Sequence, residues 1–259
     1  MTFKLDDPLF SLQYAFFPRY IVPADEPMAA GGFFTRSPHL PVRWITLILI
    51  LVMTLPVFAK EPFTINEQTL QRAEDRYGSS ARKRLLAWQA LMRTPYSDDL
   101  TTLEKVNHFF NKIRFLNDST HWNREDYWAT PIEFLASNGG DCEDFAIAKY
   151  FTLIGLGMPE TKLTLTYVKA LNLNLTHMVL AYYPAPGQEP LILDNLVDDI
   201  KPSSHRTDLL PIYSFNGAGL WVAKQRGRGE MLGDGRRLRP WRELLTRMTE
   251  ESHQNKEAR

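Results

Sequence analysis

Apolar positions recur at three- and four-residue spacing through the first part of this chain and at alternate positions further on, so helices are expected before strands. Thr64 with Glu67 has the form of a capping box and predicts a helix running to about Tyr77. Gly78-Ser79-Ser80 breaks that helix and recaps the next, whose apolar face is Leu85, Leu86, Trp88, Leu91 and Met92. Pro95 ends it. A third helix follows over Leu103, Val106, Phe109, Phe110 and Ile113. Residues 116–141 carry no period and read as loop. Gly139-Gly140-Asp141 then turns the chain into a helix through Phe145, Ala146, Ala148 and Tyr150 to Leu153, with Gly155 and Gly157 as stops. Alternation takes over at Leu163, Leu165 and Tyr167. Strands are expected there, over His177–Tyr183 and over Leu191–Asp194, with a hairpin pairing Ile212–Phe215 to Leu220–Ala223.

The pattern predicts an α+β fold in which N-terminal helices pack on an antiparallel sheet. Three segments are expected: an N-terminal extension with a signal peptide (1–59), a catalytic domain (60–224) and an Arg-rich tail with a short helix opening at Pro240 (225–259), read as a solvated appendage. Trp44–Ala59 is uncharged, follows Arg36 and Arg43, and is short for a membrane span. It ends in Pro56-Val57-Phe58-Ala59, so a signal peptide cleaved after Ala59 and export to the periplasm are expected. Met28 lies closer to that segment than Met1, and translation is expected to start there. Lys plus Arg and Asp plus Glu are 30 each, so no global field draws the chain to nucleic acid.

Cys142 is the only cysteine, which excludes an internal disulfide and a cysteine-based metal cage. It falls in the first turn of the predicted Gly-Gly-Asp helix, where backbone N–H groups and the helix dipole favour a thiolate. A thiol nucleophile needs a base and a group that orients the base. His177 opens one expected strand and Asp194 closes the next, so adjacent antiparallel strands would bring them together. Of the other histidines, His121 is the next candidate base. The backbone N–H of Cys142 is the expected oxyanion donor.

The order Cys142, His177, Asp194, with GGDCEDFAIAKYFTL, HMVLAYYP and LILDNL, resembles the bacterial transglutaminase-like cysteine proteinases of the LapG type. The likeness runs from about Val106 to Trp221. It implies a papain-like fold with the nucleophile at a helix N-terminus, and a Cys142–His177–Asp194 triad. It also implies a periplasmic endopeptidase that cuts a large surface adhesin near its N-terminus, releasing it and dispersing biofilm. An inner-membrane receptor for cyclic di-GMP is the implied inhibitor. The family requires calcium. Asp141 and Glu143 match its calcium residues, Asp144 is a further candidate and Asp126 a weaker one. Three carboxylates beside Cys142 would oppose a thiolate, and a hard cation bound to them would cancel that field. Acyl transfer to an amine and a non-catalytic calcium-stabilised binding module are the alternative functions.

Overall fold

The computed structural model describes residues 63–95, 97–223 and 228–257. The expected signal peptide, its cleavage after Ala59 and the start at Met28 lie outside the described residues. Among those residues no helix is long and apolar enough to cross a membrane.

Three helices come first: α1 (Glu67–Tyr77), α2 (Ser79–Met92) and α3 (Asp99–Phe110). Their apolar faces are largely the expected ones, with Leu70, Leu85, Trp88, Leu103 and Val106 buried, but Leu86 is exposed and Ile113 lies beyond the end of α3. The start of α1 differs from expectation. Asn66, not Thr64, is the N-cap, accepting from Thr69 N at 2.7 Å, because an Asx side chain two residues on competes for the same role. Gly78 joins α1 to α2 at φ 82°, a conformation only glycine adopts without strain.

β1 (Arg114–Phe115) follows, and the segment read as loop holds α4 (Asp118–His121), α5 (Pro131–Ser137) and β2 (Gly139–Gly140). Thr130 caps α5 through a box with Glu133, and Pro131 fills its first position. β1 and β2 pair in parallel. α6 (Cys142–Gly155) follows, and its residues from Glu143 to Leu153 are all buried. It is apolar nearly all round because it packs against α3, α5 and the sheet.

β3 (Leu163–Ala170), β4 (Leu175–Tyr182), β5 (Leu191–Leu193), β6 (Lys201–Pro202), β7 (Leu209–Asn216), β8 (Gly219–Ala223) and β9 (Arg228–Gly233) form one sheet in the order β6-β5-β4-β3-β7-β8-β9. Every pairing in it is antiparallel. Leu163, Leu165, Met178, Leu180 and Phe215 join the helix-side core, while Val168, Val179, Ala181 and Ile192 form a smaller cluster apart from it. That division is the period-two alternation of the strands.

The tail is not the solvated appendage expected. β9 extends the sheet, and α7 (Arg239–Glu257) buries Trp241 and Leu244 completely. Trp241 stacks on Phe151 of α6, with ring centroids 5.6 Å apart and planes 10° from parallel. The many charged residues of α7 mark its outer face and masked a narrow apolar stripe.

Candidate active site

The N-terminus of α6 is set by a turn that admits no side chains. A Cβ on Gly140 would meet Asp144 Oδ2 at 2.1 Å, and one on Gly139 would meet Leu116 Cδ1 at 2.3 Å. Asp141 is the N-cap of α6. Asp144 fastens the turn, accepting from Ala129 N at 2.7 Å and from Asp141 N at 3.3 Å. Cys142 therefore enters the first helical turn at a fixed angle.

Its thiol donates to Glu143 Oε2 at 3.1 Å. Burial raises its pKa most, followed by the charge of Glu143 and the hydrogen bond to it, then the charge of Asp141. The result lies far above the ordinary thiol range. The backbone amide of Met178, next in the chain to His177, works in the opposite direction. The helix-start advantage is thus overridden here by burial and by the carboxylates that share the turn.

β4 and β5 pair with Leu180 opposite Leu193, so His177 and Asp194 come together at one end of the ladder. His177 Nε2 lies 2.7 Å from Asp194 Oδ1, and both residues are buried. Asp194 Oδ1 also accepts from Leu196 N at 3.0 Å, and its carbonyl accepts from Asn111 Nδ2 at 2.8 Å. The strand-pairing expectation holds for this pair. Cys142 is delivered to the same strand by the packing of α6 on β4, but its thiol bonds to Glu143 rather than to the imidazole. His121 is engaged elsewhere, with Ser137 Oγ 2.9 Å from its Nε2 and its ring against Trp122.

Around the thiol lies a basin of carboxylates. Asp118, Asp126 and Glu143 offer ligand atoms within 4.8 Å of one another, and so do Asp118, Asp141 and Asp144. Asp118 belongs to both sets. Its Oδ2 accepts from Tyr127 N at 2.5 Å, while its Oδ1 and Asp141 Oδ1 are buried without a hydrogen-bond partner. Burial, opposed by the Tyr127 amide and aided by Asp141 and Asp126, pushes Asp118 up to about 7. Burial and the charge of Glu143 take Asp141 to about 9. Glu143 reaches about 7, chiefly through burial. Burial and Asp141 also hold Asp144 well above its usual range. Orphaned oxygens and crowded acids fit a hard divalent cation, which takes oxygen ligands and favours their ionised forms. Asp118 was not among the residues expected at the site. It lies in α4, far from Cys142 in sequence, and no spacing rule links the two.

The profile of the bacterial transglutaminase-like cysteine proteinases matches residues 84–226. The chain belongs to this family. Among solved structures, Legionella pneumophila LapG treated with EGTA is 45% identical, covering 72% of this chain and 99% of that one, with a TM-score of 0.62. Calcium-bound Legionella pneumophila LapG is also 45% identical, covering 70% and 98% with a TM-score of 0.60. The comparison with curated proteins finds no match. As a cysteine proteinase the chain needs a thiol, and Cys142 is the one cysteine it has.

Proposed function

We propose that this proteinase is an exported, calcium-dependent endopeptidase with Cys142 as nucleophile, His177 as base and Asp194 as orienting acid. The observation that carries the reading is the buried His177–Asp194 pair, 2.7 Å apart, with His177 on the strand against which the Cys142 helix packs. With Nε2 committed to Asp194, Nδ1 is the ring nitrogen left to take the Cys142 proton. The thiolate then attacks the peptide carbonyl, and the backbone N–H of Cys142 donates to the oxyanion. The imidazolium returns its proton to the leaving amine, and water hydrolyses the thioester.

Asp118, Asp126, Asp141, Glu143 and Asp144 are the residues that would hold calcium. When bound, the ion supplies positive charge that offsets the carboxylate field on the thiol. Glu143 Oε2 is the acceptor that holds the Cys142 thiol, so engaging it as a ligand would leave that thiol free to meet His177. Asp141 and Asp144 fix the turn that aims it.

The proposed substrate is a large surface adhesin cut near its N-terminus, with an inner-membrane cyclic di-GMP receptor as inhibitor. Both come from the family likeness, and so does a periplasmic location. The proposed enzyme unit starts at the signal cleavage site after Ala59 and includes α7, since the core contains Trp241. Incubating the protein with the secreted adhesins of its host tests the reading. One defined cut is expected with calcium and none with chelator; intact adhesin in both refutes it.

A further inference from the structure

His177 uses one oxygen of Asp194, and Arg206 holds the other. Arg206 Nη2 donates to Asp194 Oδ2 at 2.7 Å, and Arg206 is only 4% exposed. The guanidinium is itself anchored, with Nε and Nη2 donating to Asp208 Oδ1 and Oδ2 at 3.0 and 2.8 Å. That fork admits little rotation, so the Asp194 carboxylate is fixed in plane as well as in position. The backbone enforces the same placement. β6 pairs with β5, the strand that delivers Asp194, and leads into a single turn over Ser203–His205. Glu189 accepts from Ser203 Oγ at 3.1 Å and from Ser204 N, and Arg206 N closes the turn on Ser203 O at 3.1 Å.

We propose that Arg206, anchored by Asp208, is the positioning residue that aims Asp194 at His177. The inference rests on the triad reading above. A buried ion pair alone is weak evidence for anything beyond structure. What sets this pair apart is that its carboxylate is the one bonded to the candidate base. Burial alone would raise the pKa of Asp194, yet His177, Leu196 N and Arg206 together bring it down to about 2. The acid that orients an imidazolium is thereby kept charged.

The third guanidinium nitrogen provides the test. Arg206 Nη1 has no hydrogen-bond partner among the described residues, and Arg206 lines, with Val168, Val179, Ala181, Ile192 and Leu209, a pocket that opens in part to solvent. A small cation can therefore reach the space that Arg206→Ala would vacate. In the full chain with calcium, Arg206→Ala should lower kcat about a hundredfold with KM nearly unchanged, as expected for loss of an orienting contact. Arg206→Lys, which reaches one carboxylate at a time, should fall between. Methylguanidinium should restore about tenfold to Arg206→Ala and nothing to the wild type, whereas urea should restore nothing.

Wild-type kcat in Arg206→Ala overturns the proposal. So does a loss that disappears once activity is normalised to the fraction of protein with titratable Cys142 thiol. Should Arg206→Ala fail to fold, Arg206→Lys and Asp208→Asn decide, and unchanged kcat in both overturns it. Asp194→Ala, assayed in parallel, separates the two readings. An active Asp194→Ala refutes the triad, while an inactive one beside fully active Arg206 variants refutes only the role of Arg206.

Discussion

The thiol of Cys142 donates to Oε2 of Glu143 across 3.1 Å, so the candidate nucleophile is held by a candidate metal ligand. On the proposed reading, calcium and the Cys142 thiol would compete for Glu143 Oε2. Glu143 cannot serve both partners equally.

Alkylation of Cys142 by iodoacetamide should therefore be slow in chelator and at least about tenfold faster in calcium at neutral pH, because the thiol pKa falls when the field is offset. Glu143→Gln should bind calcium less tightly, yet its metal-free thiol should react faster than that of the wild type. Equal metal-free rates for the two proteins would remove the contact from the account.

Asp118→Asn should weaken calcium binding by about tenfold or more, since it removes one charge from both carboxylate sets. Its fold should survive, because an amide oxygen can still accept from Tyr127 N. Calorimetry decides, and an unchanged affinity would place the ion away from Asp118.

The core contribution of α7 is open to a direct test. Trp241→Ala should cost about 3–5 kcal/mol in denaturant unfolding, as for other buried aromatic truncations. A cost below about 1 kcal/mol would restore the tail to the surface.

Much of this architecture was legible in the chain. Apolar spacing placed the three N-terminal helices, the Gly-Gly-Asp turn placed α6, and alternation placed β3 to β5 closely enough to pair His177 with Asp194. Four things escaped. The segment read as loop holds α4, α5 and β2, which are too short to show a period. Asn66 took the cap that Thr64 and Glu67 resembled, because both sequences satisfy the same local rule. α7 was underestimated because its stripe of Trp241, Leu244 and Met248 is sparse among charges, and only the folded core shows what it packs against. Asp118 and Arg206 reach the site through tertiary contact alone. Neither has a motif, and each matters for what its oxygens or nitrogens meet across the fold.

Glu251 of α7 carries a pH dependence of stability. Burial raises its carboxyl to about 8, the Thr130 hydroxyl bonded to it at 2.6 Å lowers it, Glu133 raises it, and Arg247 and Arg72 lower it. A carboxyl raised in the folded state stabilises the fold fully at acid pH, and that contribution is lost as pH rises from its unfolded value toward about 8. Glu251→Gln keeps an acceptor for Thr130 and removes the charge. Its Tm should exceed that of the wild type by about 2–5 °C near pH 8 and match it near pH 5. A constant difference across that range would contradict the assignment.

Because Cys142 is the sole cysteine, one titration reaches the central claim. In calcium, with a susceptible adhesin fragment as substrate, protease activity is measured against the fraction of Cys142 alkylated, read by mass spectrometry on the same samples. The expected result is a straight line falling to zero activity at full modification. Cleavage that persists once every Cys142 is alkylated would contradict it.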